Sequence, residues 1–172
     1  MKVFIPIKKA GKVFVSKMDF ADYVALKVYS KRPWIYWGGN RIERQPYVIN
    51  KKSMAIHRLV ACPPPGFIVD HIDGNTLNNT RQNLRACTYS QNSANAVKKK
   101  FKTGKPTSDY KGVFYNKQNN NWRCRIQLHG AVKEVGSFKN ERDAAEAYNR
   151  AAVELFGEFA KLNDLGEKSW PL

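Results

Sequence analysis

Residues 122–128 read Trp-Arg-Cys-Arg-Ile-Gln-Leu, a strict alternation of polar and apolar side chains. On a strand, successive side chains point to opposite faces, so Arg123, Arg125 and Gln127 share one face and Cys124, Ile126 and Leu128 the other. The apolar row needs a cover, and the sequence supplies one in Glu-Arg-Asp-Ala-Ala-Glu-Ala-Tyr-Asn-Arg-Ala-Ala-Val-Glu-Leu-Phe-Gly, residues 141–157. There Ala144, Ala147, Tyr148, Ala151, Ala152 and Leu155 recur at helical spacing. Small alanines let a helix lie close on a sheet. Asn140 suits the N-cap, Glu141 and Asp143 the first turn, and Gly157 the end. Two further strand-like runs, KGVFY and KEVGSF, flank the alternation, with turn residues at Asn119–Asn121 and at His129-Gly130. Residues 109–164 are therefore predicted to form a small three-stranded antiparallel sheet packed on one helix.

The polar row is a line of hydrogen-bond donors, and its chemistry is readable. Arginine pairs well with guanine and glutamine with adenine in a major groove that admits β-ribbons. Residues 110–139 hold six basic and one acidic residue, whereas 140–172 hold four basic and seven acidic, so the sheet side attracts phosphate and the helix side repels it. The whole chain carries 30 Lys and Arg against 14 Asp and Glu, a net +16, which implies a polyanionic partner, nucleic acid first. The groove geometry favours double-stranded DNA over A-form RNA. With 42% hydrophobic residues the chain can build a core, but it has no run of about 18 apolar residues to span a membrane. Its start lacks a signal-peptide stretch, so the expectation is a cytoplasmic protein. Cys62, Cys87 and Cys124 form no C-x-x-C pair, which points to buried thiols rather than a structural zinc or a disulfide framework.

Four more zones complete the organisation. Residues 1–56 hold short alternating runs broken by Gly, Pro and Asn, with 12 basic and 3 acidic residues, and read as a β-rich N-terminal extension. Trp34, Tyr36 and Trp37 there read as core or cross-strand aromatics. Residues 57–97 read as strand, polar loop, strand and helix; Thr88 and Gln91 have the capping-box form at the helix start. Residues 98–108 are a linker by composition, whose Lys98, Lys99 and Lys100 suit a DNA backbone, and 165–172 are a tail.

The polar loop is the chemical centre of the chain. VDHIDGNTLNNTRQNL, residues 69–84, sets one histidine and two aspartates among four asparagines and a glutamine. An EF-hand loop starting at Asp70 fails, because Ile72, Gly74 and Arg81 would stand at ligand positions. A zinc site would need more His or Cys nearby, and His57 reads as a packed or DNA-facing residue. Turn formation alone could use Asp73-Gly74 and Asn78-Asn79. The spacing allows more: Asp70 adjoins His71, Asn83 follows His71 by 12 residues and Asn92 by 21. A carboxylate plus an amide oxygen is a sparse, hard donor set that suits a cation keeping several waters, such as Mg²⁺. Ideal alternation sends Asp70 and His71 to opposite faces, so the strand must twist or end there.

Two resemblances follow from these residues. YKGVFY, NNNWRCRIQ, EVGSF and DAAEAYNRAAVELFGEFAKLN resemble the plant ethylene-response-factor (Apetala-type) DNA-binding domain over about 55 residues. That implies a sheet in the major groove with Lys111, Arg123, Arg125 and Gln127 on its DNA-facing strands. Phe114 stands where that family usually has arginine, so no target sequence is carried over. HRLVACPPPGFIVDHIDGNTLNNTRQNLRACTYSQNSAN resembles the HNH nucleases of the phage and intron homing type over about 40 residues. The resemblance implies an α+β chain with a ββα-metal nuclease domain and a metal-dependent DNA endonuclease activity. It puts one divalent ion, Mg²⁺ or Mn²⁺, on Asp70 and Asn92. It makes His71 the general base and Asn83 the residue orienting the loop and the imidazole, with 5′-phosphate and 3′-hydroxyl products. A monomer would nick, and a DNA-bound dimer would cut both strands. The alternative is a DNA-binding regulator that keeps an inert nuclease scaffold.

Overall fold

The computed structural model describes residues 1–9, 12–29, 35–37, 47–49, 55–97 and 108–166. Within them the chain divides into two compact units, Met1–Tyr89 and Ser90–Leu172.

The first unit begins with β1 (Lys2–Lys9) and β2 (Lys12–Asp19), an antiparallel hairpin in which Ile7 faces Phe14 and Val3 faces Met18. The expected alternation holds: Ile7 and Met18 are buried while Phe4, Val13 and Val15 are exposed. α1 (Phe20–Tyr29) follows where only strands and turns were expected. Among the described residues its core side rests on Tyr23 and Leu26, a short stripe that does not stand out beside the Val and Tyr residues that suit strands as well. β3 (Ile35–Trp37) and β4 (Tyr47–Ile49) pair antiparallel, so Tyr36 and Trp37 lie on a strand, while Trp34 lies outside the described residues. α2 (Ile56–Ala61) buries Ile56 and Val60, one turn apart. It stops at Cys62, whose φ of 44° is left-handed, before Pro63, Pro64 and Pro65. β5 (Ile68–His71) and β6 (Leu84–Cys87) form an antiparallel pair where the runs FIVDHI and LRACT predict strands. Ile7, Met18, Leu26, Ile56 and Val60 make one core, with Leu59, Leu77 and Leu84 packed against it. Hairpin, helices and polar loop are thus held by the same apolar cluster.

α3 (Tyr89–Asn95) starts directly after Thr88, as the capping pattern predicts. The boundary between units falls at this helix rather than in the basic linker. The reason is in its contacts: Ala94 is buried in the second core, and the Ala94 carbonyl accepts from Lys161 N at 3.2 Å.

The second unit is β7 (Val113–Asn116), β8 (Asn121–Leu128) and β9 (Ala131–Phe138), ordered β7-β8-β9 and antiparallel, backed by α4 (Glu141–Phe156). Cys124 and Ile126 pack against Ala144, Tyr148 and Ala152, as the two stripes predict; Ala145, outside the predicted stripe, is fully buried as well. The Asn140 side chain accepts from Asp143 N at 2.9 Å, capping α4. Buried Asn149 exchanges two hydrogen bonds with the Asn163 backbone, and Asn163 does the same with Lys111, tying the C-terminal segment to the start of the sheet. Among the described residues the chain is a mixed α and β fold of small antiparallel sheets, and no helix is long and apolar enough to cross a membrane.

Candidate active site

β5 ends at His71, and Asp70 and His71 are both 5% exposed. The chain then turns through Gly74, whose φ of 73° favours glycine and whose N–H donates to the His71 carbonyl at 2.8 Å. Asp73 and Asn83 lock the loop: Asp73 N donates to Asn83 Oδ1 at 3.0 Å, and Asn83 Nδ2 donates to Asp73 Oδ1 at 2.8 Å and to the Asn78 carbonyl at 2.8 Å. Partial burial pushes the Asp73 carboxyl up. Hydrogen bonds from Asn78, Asn75 and Asn83 outweigh that and hold it below the ordinary aspartate range. The Asn83 side chain thus bonds to Asp73 and Asn78 on either side of the turn.

The imidazole has a different amide partner. His71 Nε2 lies 3.3 Å from Asn79 Oδ1, and the Asn79 Nδ2 donates to Ser16 Oγ on β2 at 3.0 Å and to the Leu77 carbonyl at 3.3 Å. On the other side the His57 ring of α2 meets His71 edge-on, with centroids 5.3 Å apart and planes at 67°. Burial lowers the His71 pKa, while the Asn79 hydrogen bond and the Asp73 and Asp70 charges push it back up. Burial, then the His71 and Arg58 charges, lower His57 to about 4. Both rings are neutral at neutral pH, the state a general base needs.

Asp70 sits opposite Arg85 in the β5–β6 register. Its Oδ2 accepts from Arg85 Nε at 3.0 Å and Nη2 at 2.9 Å, and the two side chains are 6% and 13% exposed. Nearby Cys87 is buried, and burial followed by the Asp70 charge pushes its thiol up to about 11, so it offers no thiolate. The donors at the end of β5 are hard oxygens, which fits a cation of the Mg²⁺ kind rather than a thiophilic one. Among the described residues, no three His, Cys, Asp or Glu side chains gather as a metal cluster. Asn92 lies on α3 in the second unit.

On the second unit's sheet, Arg123, Arg125 and Gln127 stand on the face opposite Cys124 and Ile126, as the alternation predicts. Two of the three are held in place by Glu134 of β9, which accepts from Arg123 Nε at 2.8 Å and Arg125 Nε at 2.7 Å. Slight burial raises the Glu134 carboxyl, but the two arginines hold it below its ordinary range. The Arg125 guanidinium also lies over the Phe114 ring at 4.7 Å. Lys111 departs from its expected place on a DNA-facing strand. It precedes β7, and its Nζ donates to the Ala94 and Ala96 carbonyls at 2.6 Å and to Ser93 O at 3.3 Å. The last carbonyls of α3 lack helical donors, and this ammonium satisfies them. Burial and the Lys161 charge lower its pKa to about 8. Lys98, Lys99 and Lys100 lie outside the described residues.

Comparison with known proteins bears on the first of these two surfaces. The sequence profile of the HNH endonuclease family matches residues 55–94. Protein 3.8 of Escherichia phage T7 is 36% identical over 99 residues, which are 57% of this chain and 77% of the phage protein. Residues 55–94 carry an HNH endonuclease domain. An uncharacterized HNH endonuclease of Acanthamoeba polyphaga mimivirus is 40% identical over 102 residues, 59% of this chain, and the chain spans half of that protein's length. No solved structure matches significantly. The HNH segment contains His57, Asp70, His71, Asn79, Asn83, Arg85 and Asn92, whereas Ser16 and the second unit's sheet fall outside residues 55–94.

Sequence reasoning missed Ser16, Asn79 and Arg85. Arg85 was open to discovery, because a hairpin joining Asp70 to the strand after Asn83 brings residue 85 opposite residue 70. Ser16 carried no local signal, being 63 residues from its partner Asn79.

Proposed function

We propose that this chain, with its HNH domain, is a metal-dependent DNA endonuclease of the homing type. The observation that carries the reading is a buried, neutral His71 at the end of β5, next to Asp70, inside the matched segment. His71 takes the proton of the water that attacks the phosphorus, and the 3′ oxygen leaves, giving a 5′-phosphate and a 3′-hydroxyl. Asn83, bonded to Asp73, orients the loop and the imidazole. Asp70 and Asn92 would hold one divalent ion, Mg²⁺ or Mn²⁺. When bound, the ion supplies neutralisation of charge building on the phosphoryl and leaving oxygens. Arg123, Arg125 and Gln127 dock the second unit in the major groove of double-stranded DNA as an ethylene-response-factor-like module. Lys98, Lys99 and Lys100 contact the DNA phosphate backbone, and the site of action is the host cytoplasm.

One observation favours a second reading, a DNA-binding regulator with an inert scaffold: the Asp70 carboxylate is already paired with a guanidinium. Supercoiled plasmid separates the two. Conversion to nicked or linear DNA with Mg²⁺, blocked by EDTA and by His71→Ala while gel-shift binding survives, is the expected result. Cleavage by His71→Ala at the wild-type rate would remove His71 from the mechanism. Absence of any Mg²⁺-dependent cleavage would leave the regulator.

A further inference from the structure

The N-terminal hairpin, outside the matched segment 55–94, reaches the imidazole through one buried amide. Ser16 and Asn79 are 0% and 1% exposed, so water does not substitute for their hydrogen bonds. An amide has a donor end and an acceptor end, and the surroundings decide which faces where. Ser16 Oγ donates to the Leu77 carbonyl at 3.1 Å, which leaves its lone pairs to accept. The same carbonyl lies 3.3 Å from the Asn79 side-chain atom on that side, and it also accepts Lys17 N at 2.9 Å. An oxygen turned toward that carbonyl would set two acceptors against each other in a buried site. The NH₂ end must face Ser16 and Leu77, so the oxygen faces His71. An acceptor 3.3 Å from Nε2 requires a proton on Nε2.

We propose that Ser16 and Asn79 act as positioning residues that fix His71 as its Nε2–H tautomer and so leave the proton-accepting lone pair on Nδ1. The backbone supports the same arrangement: Asn79 N donates to the Lys17 carbonyl at 2.7 Å, and Lys17 bridges to Asn78. β2 thus holds the amide at both main chain and side chain. The inference rests on the nuclease reading for its consequence in catalysis, but the tautomer itself is a property of the resting protein. A neutral imidazole with the wrong tautomer presents an N–H where a lone pair must be, and the base is lost without any loss of DNA binding.

The test is long-range ¹H–¹⁵N NMR of the full chain near neutral pH. The chain has three histidines, so His71 can be assigned by difference from His71→Ala. The expected wild-type signature is a protonated Nε2 and an unprotonated Nδ1. Ser16→Ala removes one of the two acceptors that hold the NH₂ end and should make a second, Nδ1-protonated population of His71 detectable. Asn79→Leu should also lose about 10²-fold or more in single-turnover nicking, with gel-shift affinity unchanged. Should Asn79→Leu fail to fold, the wild-type and Ser16→Ala spectra decide. A wild-type His71 protonated on Nδ1, or a Ser16→Ala spectrum identical to wild type, overturns the inference. Neither result touches the plasmid assay, so the failure of this inference and the failure of the nuclease reading remain distinguishable.

Discussion

Arg85→Leu should be among the most damaging single changes in the first unit. The Asp70 side chain is 6% exposed and its Oδ2 receives both Arg85 donors, at 2.9 and 3.0 Å. Leucine covers the aliphatic stem but leaves a carboxylate in a dry site without its counter-charge. Removing one partner of a buried pair costs about 3–5 kcal/mol, and the 13% exposure of Arg85 argues for the lower end, about 3 kcal/mol. For a unit of about 90 residues, each kcal/mol lowers the melting temperature by roughly 4–8 °C, so the shift is roughly 12–24 °C. Calorimetry of the full chain would follow the transition. Asp70→Leu combined with Arg85→Leu should recover to within about 1 kcal/mol of wild type, because two apolar groups leave no orphaned charge. The guanidinium also competes for the charge that a cation would use. Mg²⁺ should therefore raise the melting temperature of Arg85→Leu more than that of wild type, since a ligand held only by the native state stabilises it. A single-mutant cost under about 1 kcal/mol, or additive single mutants, would refute the pairing argument. Equal Mg²⁺ shifts would refute the competition.

Three further outcomes follow from the same geometry. An unfolded chain protonates His57 near 6.5 and the folded one only near 4, so stability is full above 6.5 and is lost as pH falls toward 4, by up to ~3 kcal/mol. His71 acts in the same direction, and His57→Phe should flatten the decline seen in thermal melts across that window. Gly112→Ala should unfold the second unit, costing about 3 kcal/mol or more by chemical denaturation. Its φ is 76°, and the added carbon would run into the Tyr148 ring and the Arg125 carbonyl. Glu134→Gln removes the negative charge between Arg123 and Arg125 and should tighten DNA binding several-fold at low salt, with the gain fading as salt rises. An unchanged gel shift would take the sheet face out of DNA docking.

Much of this architecture was legible because it is periodic. The alternation of WRCRIQL and the alanine stripe of residues 141–157 each name a buried face, and one can only be covered by the other. Caps and turns are equally local, which is why Asn140, Gly157 and Asp73-Gly74 stand where expected. In the polar loop, the Asn83 contacts are local too, with Asp73 and Asn78 within ten residues, although its role was suggested only by the family resemblance.

Residues that act across long separations were not legible. A serine in a strand and an asparagine in a loop say nothing of each other until the hairpin core of Ile7, Met18 and Ile56 brings Ser16 against Asn79. Likewise, the sequence shows Lys111 as one more basic residue beside a sheet, and only the end of α3, with its unsatisfied carbonyls, turns that ammonium inward. Composition and periodicity by themselves determined which faces are buried and which chemical groups are present. Tertiary packing decided which groups meet, because a hydrogen bond or ion pair depends on a distance of about 3 Å that no one-dimensional pattern encodes.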